Sequence, residues 1–163
     1  MAEDLPVFFT HQIDNEAVRM AAFTAKDPAD RAAFMAHWKK ILATPEIIVR
    51  TIVLGNSVAG HVMSYVEEGK PEVTYWLGRE YWGRGIATRA LSEFLRQVQL
   101  DRPIYARAAR DNIASIRVLT HCGFALEGTG WGYANARGKE IEECLFQLGG
   151  SPPFRTGIEN NIE

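Results

Sequence analysis

Tyr75-Trp76-Leu77-Gly78-Arg79-Glu80-Tyr81-Trp82-Gly83-Arg84-Gly85-Ile86-Ala87-Thr88 is the stretch on which the reading of this chain turns. It passes from a strand, through a glycine-bearing loop, into the start of a helix. Backbone N–H groups at a helix start have no intrahelical partner and sit at the positive end of the helix dipole. Glycines there let an anion approach the main chain closely. The physics therefore points to a phosphate or diphosphate site, with Arg84 adding charge and Thr88 a hydroxyl. The same glycines also fit a plain strand-to-helix turn in which they serve geometry alone. Two nucleotide-binding patterns fail on detail. A Walker loop needs a lysine that is missing, and in a dinucleotide fingerprint the last glycine would fall on Thr88.

Working outward, Ile86, Ala87, Ala90, Leu91, Phe94, Leu95 and Val98 form one apolar face of a helix over about 85–98, opposite Thr88, Arg89, Ser92, Glu93, Arg96 and Gln97. Upstream, 47–54, 58–66 and 72–77 read as three strands joined by tight turns at Gly55-Asn56 and Glu68-Gly69-Lys70-Pro71, an antiparallel meander. Before them, 7–11 reads as a short strand and 15–23 as a helix. Asp27-Pro28 reads as a cap with proline at the first helical position, opening a helix striped by Phe34, Trp38, Ile41 and Leu42. Downstream, 103–108 reads as a strand parallel to 72–77. Asn112 caps a helix that stops at Gly123, and two strands near 124–134 and 140–148 close the domain. The fold class is α/β (α+β): a mixed, mostly antiparallel central sheet with helices on both faces. Residues 1–148 form one domain. Residues 149–163 read as a C-terminal tail that could pack through Phe154 or Ile158.

The chain has 163 residues, 47% hydrophobic and 23% charged, with a net charge of −2. That suits one soluble domain and calls for neither nucleic acid nor an anionic membrane as partner. No apolar run approaches the roughly 20 residues of a spanning helix. Cys122 and Cys144 form no metal or CxxC spacing. No metal is expected, and the default location is the cytoplasm.

Trp82-Gly83-Arg84-Gly85-Ile86-Ala87 resembles the acetyl-CoA loop of the GNAT acetyltransferase superfamily, [QR]-x-x-G-x-[GA], with Trp82 standing where Gln or Arg is usual. The wider string resembles the branch containing the ribosomal-protein N-terminal acetyltransferases. Asn112-Ile113-Ala114-Ser115, followed by Gly123-Phe124, resembles that family's N-x-x-S…G-F helix and turn. The resemblance implies a GNAT-like acyl-CoA acyltransferase fold whose two central parallel strands splay. It implies that the backbone of Trp76 and Leu77 pairs with pantetheine amides, that amides from Trp82 through Gly83, Arg84, Gly85, Ile86 and Ala87 to Thr88 hold the diphosphate, and that Asn112 and Ser115 touch the cofactor. Acetyl-CoA would be the co-substrate, with acetyl moving to a primary amine in a ternary complex. The N–H of Leu77 would serve the oxyanion.

An alkylammonium must lose a proton before it attacks. Glu72 is the leading base candidate and alternatively a solvated strand-end charge, with Glu67 and Glu68 behind it. The family's usual acid, a tyrosine on the late helix, falls on Leu119, so Ser115, Tyr75 or Tyr81 would have to donate. Trp38, His61, Tyr75, Trp131 and Tyr133 are candidates to line the acceptor pocket, and each also fits a packing role. The acceptor would be a protein N-terminus or a small-molecule amine. A homodimer through the closing hairpin's edge is compatible with the resemblance. The alternative function is a non-catalytic acyl-CoA-binding sensor.

Overall fold

A computed structural model of the chain describes residues 1–150. The tail expected beyond Gly150, with Phe154 and Ile158, lies outside the described residues. Three helices come first: α1 (Leu5–Gln12), α2 (Asn15–Ala21) and α3 (Arg31–Ala43). The meander follows as β1 (Ile48–Leu54), β2 (Ser57–Glu67) and β3 (Lys70–Leu77). Then come α4 (Ile86–Gln97), β4 (Ile104–Ala109), α5 (Ile113–His121), β5 (Ala125–Ala134) and β6 (Lys139–Leu148). The six strands form one sheet in the order β1-β2-β3-β4-β6-β5, antiparallel throughout except for the β3/β4 pair.

Two local expectations are corrected. Residues 7–11 are helical rather than a strand: Pro6 sits in the first turn of α1, and Leu5 and Phe8, one turn apart, share a buried stripe. The third helix starts at Arg31 rather than at Pro28, because Asp30, not Asp27, accepts the capping hydrogen bond, from the Ala33 N–H at 2.9 Å. Asp27 instead accepts from Ala29 in the preceding turn.

The sheet has two unequal faces. Helices α4 and α5 cover one with Leu91, Phe94, Leu95 and Leu119, packed on Val62, Val73, Ile104, Ala106, Ala108 and Phe146. On α4 the buried Leu91, Phe94 and Leu95 fall at i, i+3 and i+4, as the sequence pattern requires. The other face is covered by α1 and α3, whose Leu5, Phe8, Trp38 and Ile41 pack on Val49.

β2 and β3 approach each other tightly at Gly60, opposite Leu77. A Cβ at Gly60 would stand 2.0 Å from the Trp76 carbonyl oxygen, which is backbone and cannot rotate away. Gly60→Ala is therefore expected to cost about 3 kcal/mol or more, measured as a fall in the urea midpoint of unfolding.

Candidate functional site

The parallel pair β3/β4 is bridged at one point, Glu72 opposite Tyr105. Beyond it, residues 73–77 and 106–109 run on without pairing across the gap, so the strands part toward their C-terminal ends. β4 borders this opening with Ala106, Ala108 and Ala109, which take little room. The bridged end is held by charge. Arg107 Nε and one terminal nitrogen donate to Glu72 Oε1 at 3.0 and 2.7 Å, and the Tyr65 hydroxyl donates to Oε2 at 3.2 Å. The Glu72 hydrogen bond holds the Arg107 guanidinium above its ordinary range. Burial, then the Glu72 charge, pushes the Tyr65 phenol up. Arg107 also reaches Glu143 Oε1 on β6 at 3.7 Å.

Glu72 thus sits where the strands close, 4% exposed, with both carboxylate oxygens engaged. It is neither the solvated strand-end charge nor a carboxylate standing free at the opening. Glu67 and Glu68, by contrast, sit exposed at the β2–β3 turn.

At the open end, the Gly78 N–H donates to Ala59 on β2 at 2.9 Å. Peptide directions alternate along a strand. The N–H of Leu77 therefore faces the opening, while the main chain of Trp76 faces β2. Of the two residues expected to present backbone there, Leu77 does and Trp76 does not; Tyr75 is the next that does. The Trp82 indole N–H donates to the Leu77 carbonyl at 2.9 Å, tying the loop to the strand end.

The loop itself makes a 3₁₀ turn at Arg79–Tyr81 and enters α4 through Gly85. Gly83 and Gly85 adopt φ of +68° and +70°, and nothing lies within 4 Å of a Cβ at either. The Trp82 N–H is taken by the Arg79 carbonyl. Among the described residues, a hydrogen-bonded turn over 82–83 draws the Arg84 N–H back, the N–H groups of Gly83 and 85–88 have no protein acceptor, and α4 has no side-chain cap. An exposed turn with unpartnered amides at a helix start matches what a diphosphate needs.

Across the opening, the Tyr75 hydroxyl lies 2.8 Å from Ser115 Oγ on the first turn of α5. Burial pushes the Tyr75 phenol up to about 12, so it carries its proton at neutral pH. Asn112 Oδ1 accepts from the Ser115 N–H at 3.1 Å, and its Nδ2 donates to the Met20 carbonyl, joining α5 to α2.

The five acceptor-pocket candidates are split between the two faces. Trp38 and His61 lie together beneath α1, ring centroids 4.9 Å apart and edge-on, with Phe8 against both. Tyr75 faces α5. Trp131 and Tyr133 follow Thr129, which pairs with core Cys144, so they project to the α4/α5 side at 70% and 60% exposure. They line no pocket with Trp38. The α1–α3 side of β5 carries Gly128, Gly130 and Gly132 instead, with the Phe23 ring over Gly132. His11, which the sequence reading did not single out, packs its imidazole against Gly78 from within α1. No helix among the described residues is long and apolar enough to cross a membrane. No group of three or more His, Cys, Asp or Glu among them is placed to hold a metal ion.

This combination of parted strands and an open helix start characterises acyl-CoA-binding acetyltransferases. Residues 1–125 match the family profile described as an acetyltransferase (GNAT) domain, and the chain belongs to that family. It is 34% identical over 86 residues to the uncharacterised N-acetyltransferase p20 of Bacillus licheniformis, an alignment covering 50% of this chain and 48% of p20. The chain thus spans about half the length of that curated relative. Its fold is similar to Mycobacterium smegmatis RimJ solved with CoA-disulfide (TM-score 0.75, 20% identity, 91% of this chain and 78% of that one). It is also similar to RimL, a ribosomal L7/L12 α-N-protein acetyltransferase solved with coenzyme A (0.74, 19%, 91% and 89%). A third similar structure is MccE, a microcin C7 self-immunity acetyltransferase solved with acetyl-CoA and AMP (0.72, 19%, 90% and 86%).

His61 yields a prediction about stability. Burial lowers its imidazole from 6.5 to about 3. Between those values the unfolded chain binds the proton and the folded chain does not. Stability contributed by neutral His61 is therefore full above pH 6.5 and falls as pH drops toward 3, by up to about 1.4 kcal/mol per pH unit. His61→Phe should flatten the acid side of the stability profile, read from urea unfolding at pH 4 to 7.

Proposed function

We propose that this protein transfers the acetyl group of acetyl-CoA to a primary amine by direct attack within a ternary complex. The observation that carries the reading is the strand opening that ends at a glycine turn whose amides at Gly83 and 85–88 are unpartnered. The Leu77 N–H, facing the opening, supports the developing oxyanion, since a fixed donor stabilises charge that appears in the transition state. Tyr75 and Ser115, 2.8 Å apart, supply a proton to the departing thiolate in place of the tyrosine that Leu119 replaces. Glu72 acts in this reading as a clamp on the strands.

RimL and MccE differ in what they act on or confer, so the acceptor class is left to measurement: an N-terminal peptide amine or a small-molecule amine. Cytoplasmic location and pairing through the β5 edge belong to the same reading, on composition and topology alone. A non-catalytic acyl-CoA sensor is the second reading, favoured by Leu119, a core residue at 1% exposure where a catalytic hydroxyl is usual.

Calorimetric titration with CoA should show binding that weakens as salt rises. Gly85→Val, which forces a branched side chain into a left-handed backbone at the anion turn, should raise the CoA Kd at least about tenfold. Thiol release from acetyl-CoA against peptides, polyamines, amino acids and aminoglycosides separates enzyme from sensor. Tight CoA binding without turnover of any amine favours the sensor, and absent CoA affinity sinks both readings.

A further inference from the structure

The sheet ends in two edges that are built differently. β1 carries Arg50 and shifts register between Ile52 and Val53, devices that discourage another strand from adding. β5 has its register shift at Leu126/Gly128. Beyond it, Thr129-Gly130-Trp131-Gly132-Tyr133-Ala134 runs regularly on β6 with no charge and no proline. The Arg110 N–H donates to the Glu142 carbonyl at 3.0 Å, so the main chain of Glu142 faces β4. By alternation, Ile141 and Glu143 face β5 and bond their partners Gly132 and Gly130. The N–H and C=O groups of Thr129, Trp131 and Tyr133 therefore point away from the sheet. Among the described residues, no main-chain hydrogen bond reaches them.

This edge has two dissimilar faces. Trp131 and Tyr133 stand exposed on the α4/α5 side, and their cross-strand neighbours there are Glu142 and Glu140. Glu142 is paired with Arg110, whereas Glu140 is exposed and has no ionic partner among the described residues. Lys139, opposite Ala134, alternates to the other face. An aromatic ring with a carboxylate behind it suits a long cationic side chain, whose stem covers the ring while its charge is held by ring and carboxylate together. The opposite face of the edge carries only Gly130 and Gly132, with the Phe23 ring over Gly132. Side chains of an added strand would find room there and an apolar ring at one end. We propose that the β5 edge takes an extended, basic segment of another protein as a seventh strand. Its main chain bonds Thr129, Trp131 and Tyr133, lysine or arginine fills alternate positions on the aromatic face, and apolar residues lie between them. The main-chain bonds supply affinity, and the aromatic and acidic face supplies selectivity. A second copy pairing on this edge would bring the same carboxylates in place of cations, and the glycine face would give it nothing to pack on. A stable interface needs about 800 Å² per partner, so the basic segment is the favoured occupant and displaces such pairing.

The probe is a fluorescent, end-blocked peptide alternating arginine and valine over the length of 129–134, titrated into the full chain. It should bind at least about tenfold more tightly than the same peptide with glutamate in place of arginine. Methylating every second backbone nitrogen of the peptide, on the side meant for β5, keeps its charge and removes its donors. That peptide should bind at least about tenfold more weakly than its parent. Trp131→Ser, at an exposed position, should weaken the parent peptide as much while the CoA Kd stays within about twofold of wild type. A failure here therefore leaves the acetyl-CoA reading standing. Amide exchange at Thr129, Trp131 and Tyr133 should slow when the peptide is added. Equal binding of the methylated peptide overturns the proposal, because charge alone then holds it. So does a parent peptide that fails to bind, or a dimer that Trp131→Ser disperses and the peptide does not. Slow exchange at the three amides in the peptide-free monomer also overturns it, since the edge is then taken by the chain's own residues 151–163.

Discussion

The ion pair between Glu72 and Arg107 is the constraint on which the rest of the structure depends. It joins the two parallel strands at the one place where they are bridged, and it does so with a carboxylate that is almost wholly out of water. Such a pair is weak evidence for net stability, because desolvation offsets much of its attraction. Removing Arg107, however, would leave the buried Glu72 carboxylate without its counter-charge, which is destabilising. Its contribution here is geometric. Pinned at one end and lined by alanines on β4, the strands are free to part at the other. Main-chain groups that a continuous sheet would have consumed are left facing an opening.

That opening is addressed from two sides by chemically different surroundings. On the α4/α5 side stand the glycine turn that opens α4 and the Tyr75–Ser115 hydroxyl pair. On the α1–α3 side stand the buried His11 and His61 imidazoles and the Glu72–Arg107–Glu143 cluster. A sheet one residue thick separates the two. Strand alternation assigns Tyr75 to one side and Glu72, Arg107 and Glu143 to the other.

Much of this was legible in the sequence. The α4 stripe at Leu91, Phe94 and Leu95, the three-stranded meander and the glycine turn before Ile86 depend on local periodicity and local backbone preference, which short stretches carry in full. The misreadings arise where distant contacts decide. Val7-Phe8-Phe9 has strand-like composition, yet Phe8 is buried against Trp38 and His61, and only a helix presents it so. Glu72 looked like a strand-end charge because its partner, Arg107, lies 35 residues away. Trp131 and Tyr133 were correctly placed on one face of a strand, but which face points where is set by pairing with β6. His11 carried no signal of its own. Its place is set by packing on Gly78, and that glycine had a sufficient local explanation as the residue ending a strand.

Among the described residues, two of the five α-helices, α1 and α4, begin without a side-chain cap. Helices α2, α3 and α5 each begin with an Asp or Asn whose side chain accepts a backbone N–H: Asp14 from Ala17, Asp30 from Ala33, Asn112 from Ser115. Such a cap stabilises a helix by typically about 1 kcal/mol. Helix α4, which packs the centre of the larger core, begins instead with left-handed Gly85 and has no side-chain cap. Helix α4 can do without a cap because Leu91, Phe94 and Leu95 anchor it through tertiary burial, so amides of its first turn stay open.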